Sequence, residues 1–477
     1  MSLIDELKSA LGEAAILTDA SAMAPYLADE RGLYQGVAAC VACPATTAEV
    51  ATVVRLCRAA GYGVVPQGGN TGYCGGASPD SDQQLLLSLS RLNQIRAIDP
   101  VGMTATVEAG VILQNLQDAA LAQELFFPLS MGSEGSCQIG GNLATNAGGL
   151  AVLKYGTAAE QVLGLEVVLP DGKILNALKP LRKDNTGYKL KSLFLGAEGT
   201  LGIITAAVVK LLPAPTEYQT AWLAVDSVAA ACQLLPLARK LSGDTVTSFE
   251  YISAPSLALV QEYIEGSRPA LDQDYPHQLL LELSAPLPAG SLRPLVESLL
   301  EDAMEQGLVL DAVLAESDSQ RKALWRLRES IPEAEKHAGR SIKHDVCVAI
   351  SDLPRYMAAA PEKLAAIGAM RPSIYGHIGD GNLHYNILAP PSEDADAFRR
   401  LHAAAVSAAL HDLAAEMGGS FSAEHGVGKL KRGELAHYSD PVALDLMRTL
   451  KTAMDPEGLM NPGKLVDTKT ADTSPES

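Results

Sequence analysis

Apolar positions along the chain fall into two textures. Up to about residue 212, short apolar runs alternate with glycine clusters; beyond about 220, helix-length and strand-length runs follow one another with few glycines, as far as about 390. Thr46 and Glu49 form the box that opens a helix, Val50, Val53, Val54 and Cys57 follow at helical spacing, and Gly61 stops it. Strands are expected in GVVPQ (63–67), LLLSLS (85–90) and TATVEAG (104–110), and a helix in VILQNLQDAALAQEL. VLGLEVVLPDGKIL reads as strand, Asp-Gly turn and strand, and PAPTEYQT (213–220) as a linker. A helix over 399–417 puts Val406, Leu410, Leu413 and Met417 on one face, with Gly418 as cap; a last helix runs from Asp440-Pro441 to Asp455-Pro456. The tail TKTADTSPES (468–477) is disordered by composition.

A chain of 477 residues is too long for one core, so roughly 2–4 domains are expected. A net charge of −19 argues against nucleic acid or an anionic membrane as partner, and an anionic substrate would need a local positive patch. The N-terminal MSLIDELKSALGEAAI lacks a basic secretory leader, and no apolar run reaches membrane-spanning length. Seven scattered cysteines fit a reducing compartment, and the cytoplasm is expected. Cys40 and Cys43 form a C-x-x-C, but no second pair completes a four-ligand site, so a strand entering a helix is the better reading.

The glycine clusters carry candidate chemistry. GGNTGYCGG (68–76) and the run at 132–156 would let backbone N–H groups approach phosphate oxygens, and two such runs suggest a diphosphate ligand such as a dinucleotide. No G-x-G-x-x-G lies between a strand and a helix, which disfavours a nicotinamide-binding Rossmann unit. GLMNPGK (458–464) imitates a P-loop, but Leu465 follows it where a Ser or Thr is required.

IYGHIGDGNLHYNI (374–387) spends two of nine histidines seven apart. A two-residue Asp380-Gly381 turn would set His377 opposite His384 and Tyr375 opposite Asn386, on one face, close enough for two imidazoles to share a cation. SAEHGVG (422–428) offers Glu424 and His425 in a glycine-flanked loop. Arg328 and Lys343 lie in a charge-rich stretch whose ordinary reading is a solvated helix face.

VVPQGGNTGYCGG, PLSMGSEGSCQIGGNLATNAGG, KYG, LRKDNTGYKLKSLFLGAEGTLGIIT, YGHIGDGNLHYN, SAEHGVGKLKR and DPEGLMNPGK occur in this order across residues 35–465. Together they resemble the vanillyl-alcohol oxidase type of FAD-binding oxidoreductase (the type 4 FAD-binding family), and within it the D-2-hydroxyacid dehydrogenases. The resemblance implies an α+β fold: an FAD-binding domain of two small α/β subdomains over 1–215, a substrate cap with an antiparallel sheet over 216–400, and a C-terminal helical segment over 401–465 returning to the flavin. No histidine precedes His277, so the histidyl-linked flavin of some relatives cannot form in this domain; Cys74 and Cys137 leave a cysteinyl link open, and non-covalent FAD is expected. The diphosphate loop would use Pro66, Gly68, Gly69, Asn70, Thr71 and Gly72; the ribityl and diphosphate segment Pro128, Gly132, Ser136, Gly140, Gly141, Asn142 and Thr145; the adenine end Glu198, Gly199 and Ile203; and the return segment Asn461.

The resemblance further implies His377, His384 and Glu424 as ligands of a divalent metal such as zinc, His425 as catalytic base, and Arg328, Lys343 and Asn386 as substrate-binding residues. The implied reaction oxidises D-2-hydroxyglutarate to 2-oxoglutarate, with D-lactate and D-malate as alternative substrates and oxygen as an alternative acceptor. An electron-transfer flavoprotein or a quinone would take the electrons, and a homodimer stays open. One departure concerns substrate choice: Pro332 stands where related animal enzymes carry a substrate-binding Thr.

Overall fold

The computed structural model describes residues 1–467; the tail at 468–477 lies outside them. The chain divides into two compact units. One comprises Met1–Gly149, Thr157–Pro213 and the chain from Glu424 onward; the other comprises Leu150–Gly156 and Ala214–Ala423.

In the first unit, the helix Thr47–Ala60 begins at Thr46 as expected, although Glu49 reaches one residue before the cap rather than closing the box on Thr46. Thr46 accepts the Glu49 N–H at 3.1 Å, the Glu49 carboxylate accepts the Ala45 N–H at 2.7 Å, and Gly61 closes the helix in the left-handed region. Val50, Val53, Val54 and Cys57 bury against a four-stranded sheet ordered Ile16–Leu17, Val41–Ala42, Gln84–Ser88, Gly63–Gln67, in which Gln84–Ser88 pairs in parallel with both neighbours. Cys40 and Cys43 flank the short strand Val41–Ala42 as buried free thiols, and burial pushes Cys40 up to about 11. A five-stranded antiparallel sheet follows, ordered Ile95–Asp99, Thr104–Glu108, Ile203–Lys210, Val162–Val168, Ile174–Ala177; the helices Leu113–Leu121 and Ile139–Ala144 share its core. The C-terminal return lies along Gly63–Gln67 through a parallel bridge between Val64 and Met460.

The second unit is built on a seven-stranded antiparallel sheet ordered Val309–Leu314, Glu217–Val225, His277–Ala285, Val246–Ser253, Arg371–Gly376, Asn382–Leu388, Val346–Cys347. Both of its faces are covered. Leu279, Leu281 and Leu283 enter one core with the helices Val228–Leu241, Arg293–Glu305 and Leu353–Ala365, while Trp222 and Leu280 enter another with Ala254–Tyr263 and Asp318–Glu329. This is why Leu279, Leu280 and Leu281 in HQLLLELSA are apolar at successive positions rather than alternating.

Two segments depart from the expected division. The helix expected over 399–417 runs Ala395–Glu416 and packs into the second unit through Phe398, Val406, Leu410 and Leu413, so a boundary at 400 would cut a helix in its first turns. Leu150–Gly156 also belongs to the second unit: Lys154 donates to the Ser284 carbonyl at 3.0 Å, and Ser248 donates to that of Leu150 at 2.9 Å.

Candidate active site

The histidine hairpin forms with a different register from the expected one. Tyr375 pairs with His384 and Ser373 with Asn386, and the Asn382 N–H closes onto the His377 carbonyl at 3.2 Å. The connection is therefore the four residues 378–381 rather than the two residues Asp380-Gly381. Neighbouring strands capture it: Gly379 donates to the Phe249 carbonyl at 3.2 Å and Val348 donates to that of Gly381 at 3.2 Å. His377 and His384 become diagonal neighbours, and their rings still meet, with centroids 5.6 Å apart and an interplanar angle of 81°. Both are buried, and burial pushes the Asp380 carboxyl in the turn up to about 6.

His377 Nδ1 lies 2.7 Å from Oε1 of Glu250, whose Oε2 accepts Arg328 Nε at 2.9 Å and pairs with Nη2 at 2.8 Å. Burial alone would raise Glu250, but His377 and Arg328 outweigh it and hold the carboxyl below its ordinary range. Breaking such a buried set from one side costs about 3–5 kcal/mol. Arg328, expected on substrate, is thus engaged by the protein and also lies over the Tyr375 ring, 4.7 Å from its centroid.

A second buried carboxylate, Glu335, gathers the other two expected substrate residues. It accepts Asn386 Nδ2 at 3.0 and 3.1 Å and Ser341 Oγ at 2.9 Å, and pairs with Lys343 Nζ at 3.4 Å. Asn386 Oδ1 accepts the His344 N–H at 3.0 Å, so its amide is held at both ends. Of the three expected anchors, Lys343 is the most exposed, with 29% of its side chain accessible. Pro332 sits in the first turn of the helix Ile331–His337, where a missing N–H costs nothing.

Asp345 was not singled out by the sequence reading. It is buried, accepts Asn382 Nδ2 at 2.9 Å, and has an oxygen within 4.8 Å of a His384 ring nitrogen. Its carbonyl accepts the Ala423 N–H at 3.1 Å, which fixes the chain one residue before Glu424.

Glu424 and His425 fall in the first unit, 3.8 Å apart. Their loop is clamped from two sides. Glu198 accepts the N–H groups of Val427 and Gly428 at 2.8 and 2.7 Å, and the Cys74 carbonyl accepts those of Lys429 and Leu430 at 2.8 and 3.1 Å. Burial raises the Glu198 carboxyl, and these two N–H groups pull against that rise. Tyr73 packs edge-on against His425, with centroids 5.0 Å apart.

The expected cofactor residues share this unit. Gly68 and Gly69 follow the strand that holds Pro66, and a Cβ on Gly69 would overlap the Ser136 carbonyl oxygen, so the two glycine loops touch through missing side chains. Asn70, with φ 55°, donates to the Ala28 carbonyl at 2.7 Å; Thr71 and Gly72 continue the loop. Pro128 is buried, Gly140 packs on Ala109, Asn142 lies near Cys137, and Thr145 donates to the Gly141 carbonyl at 3.0 Å. Gly199, with φ 72°, lies against Pro66, and Ile203 is buried in the sheet core. Asn461 donates to the carbonyls of Gly76 and Glu198 at 2.9 and 2.7 Å.

Residues 38–178 match the FAD binding domain family, and residues 214–465 match the family of FAD linked oxidases, C-terminal domain. The chain is 38% identical over 455 residues to the mitochondrial D-2-hydroxyglutarate dehydrogenase of Bos taurus, covering 95% of this chain and 81% of the relative. The chain belongs to the FAD-linked oxidase family, alongside the D-2-hydroxyglutarate dehydrogenases. A second relative, the D-2-hydroxyglutarate dehydrogenase of Stutzerimonas stutzeri, is 36% identical over 470 residues, covering 97% of this chain and 98% of the relative.

Two solved structures share the fold. p-Cresol methylhydroxylase with substrate bound has a TM-score of 0.77 at 18% identity, covering 98% of this chain and 97% of that one. 4-Ethylphenol oxidase from Gulosibacter chungangensis, in complex with isoeugenol, has a TM-score of 0.72 at 18% identity, covering 97% and 96%. This member of the FAD-linked oxidases is accordingly an FAD-dependent dehydrogenase of the vanillyl-alcohol oxidase fold type. Its residues fit the cofactor: Cβ atoms on Gly72, Gly132 and Gly141 would meet open space, and the side-chain oxygens Gln138 Oε1 and Asn461 Oδ1 are buried acceptors with no hydrogen-bond partner among the described residues. No described helix is long and apolar enough to cross a membrane.

Proposed function

We propose that the chain oxidises a D-2-hydroxyacid to the 2-oxoacid, with D-2-hydroxyglutarate the first candidate, at a site that uses a divalent cation. The observation that carries this reading is the meeting of His377 and His384, with His377 Nδ1 turned to a buried carboxylate. Nitrogen ligands oriented in this way, plus a carboxylate, suit zinc or a similar ion. His377, His384 and Glu424 would hold the cation, which would acidify the substrate hydroxyl. FAD, when bound between the glycine loops, supplies the hydride acceptor at its N5.

The chain's own residues handle the proton and the orientation. His425, steadied by the clamped 426–430 loop and by Tyr73, takes the hydroxyl proton as the Cα–H electron pair leaves and the carbonyl forms. Lys343 supplies positive charge for a substrate carboxylate, in a chain whose net charge is −19. An electron-transfer flavoprotein or a quinone then reoxidises the enzyme. The free cysteines fit a reducing compartment such as the cytoplasm, although the bovine relative is mitochondrial.

A second reading, a shorter D-2-hydroxyacid such as D-lactate or D-malate, is favoured by Pro332, which offers no hydroxyl, and by the engagement of Arg328 with Glu250. Anaerobic titration of the yellow protein with each acid, before and after chelation, separates the readings. Bleaching of the flavin band by D-2-hydroxyglutarate at the lowest concentration, abolished by chelator and restored by zinc, is expected. Bleaching that survives removal of the metal would refute the role of the cation.

A further inference from the structure

Glu335 is fully buried in the helix Ile331–His337, and the reaction as proposed gives it no part. Its carboxylate nevertheless faces two residues implied at the substrate. Asn386 Nδ2 lies 3.0 Å from Oε1 and 3.1 Å from Oε2, Ser341 Oγ donates to Oε2 at 2.9 Å, and Lys343 Nζ lies 3.4 Å from Oε2. Backbone pairing brings the segments together: Ile342 donates to the Ile387 carbonyl at 2.7 Å and Ile387 donates back at 3.0 Å, one residue away from Lys343 and Asn386 respectively. Every one of these side-chain contacts comes from a donor, so the carboxylate serves as an acceptor throughout and stands as a buried negative charge beside Lys343. A carboxylate arriving at Lys343, whose side chain is 29% accessible, adds a second negative charge to an ammonium that Glu335 already offsets. Buried charges are little screened, and the opposition grows with the number of charges on the ligand.

We propose that Glu335 is a specificity-determining residue: its buried charge opposes each carboxylate of the substrate, and so narrows the margin by which a dicarboxylic D-2-hydroxyacid is bound over a monocarboxylic one. This rests on Lys343 meeting a substrate carboxylate, as proposed above.

The test compares Glu335→Gln, Glu335→Asp and Lys343→Met with wild type in the FAD-loaded enzyme, using D-lactate and D-2-hydroxyglutarate with a dye as acceptor. Gln keeps an oxygen for the surrounding donors and removes the charge. In Glu335→Gln, KM is expected to fall about threefold for D-lactate and about tenfold for D-2-hydroxyglutarate, moving the ratio of their kcat/KM values about threefold toward the diacid. Titration of the oxidised flavin spectrum with pyruvate and 2-oxoglutarate reads the same preference without turnover, and the Kd of 2-oxoglutarate is expected to fall further than that of pyruvate. An unchanged ratio in Glu335→Gln, or one that moves toward D-lactate, overturns the proposal. If Lys343→Met leaves the KM of both acids unchanged, the substrate-anchor reading itself fails and the proposal falls with it; a raised KM there, beside an unchanged ratio in Glu335→Gln, overturns this proposal alone.

Because a change at a buried carboxylate can unfold a protein, Glu335→Asp supplies a second arm. It keeps the charge and alters the fit, so the ratio is expected to stay within about twofold of wild type. A shift of about threefold or more in Glu335→Asp assigns the preference to packing and overturns the proposal.

Discussion

The two units reach tight polar geometry by opposite means. In the unit with the glycine loops, close approach comes from missing side chains: Gly69 against Ser136, Gly140 against Ala109, Gly428 against Cys74. In the unit with the hairpin, it comes from buried carboxylates that gather donors: Glu250 between His377 and Arg328, and Glu335 between the amide of Asn386 and the partly exposed ammonium of Lys343. The first device shows in the sequence as glycine clusters, although its partners are also distant, and it tolerates no added atom. The second depends on partners distant in sequence and tolerates no lost charge.

Adding one methyl group to the first device should have the largest effect. In Gly69→Ala the new Cβ would overlap a backbone oxygen that cannot swing away, so a loss of about 2–3 kcal/mol is expected, with most of the bound FAD. Urea unfolding and the flavin-to-protein absorbance ratio measure both. Wild-type stability and flavin content in this variant would break the contrast.

Glu198 is where the two devices meet, since a buried carboxylate there holds backbone N–H groups. Glu198→Gln places an amide donor against one of them, which should cost about 1–3 kcal/mol and lower turnover by displacing the loop that carries His425. An unchanged kcat would show that the clamp has no bearing on that loop.

The smallest effect concerns Asp80, a partly exposed carboxylate 2.5 Å from Nζ of the partly exposed Lys429 and 2.8 Å from Nζ of the buried Lys464. Burial would raise Asp80, but the two ammonium groups override it and its carboxyl lies below the ordinary value. Its stabilisation is therefore present above the unfolded value near pH 4 and is lost as pH falls through the lower folded value. Asp80→Asn should cost about 1–2 kcal/mol at pH 7, and the gap in Tm from wild type should close below about pH 3. A gap independent of pH would assign the loss to packing instead of charge.

The same contrast explains what could be read from the sequence. The helix Thr47–Ala60, the glycine loops and the existence of the hairpin rest on residues within a few positions of each other, and each was legible. The hairpin register was not, because contacts from Phe249 and Val348 override the local preference of Asp-Gly for a two-residue turn. Glu250 was invisible because its partners lie 127 and 78 residues away. Its one signal is a lone carboxylate in VTSFEYIS, a strand with no other charge. Glu335 sits among the charges of IPEAEKH and had no such signal.

On the proposed reading, His377 and His384 hold a divalent cation used in catalysis. Elemental analysis of the active, FAD-loaded enzyme, alongside His384→Ala purified identically, tests it most directly. About one zinc or equivalent divalent ion per flavin is expected in the wild type, with loss of the ion and of turnover together in the variant. A fully active wild type with no stoichiometric divalent ion, or a variant that keeps its ion, would contradict it.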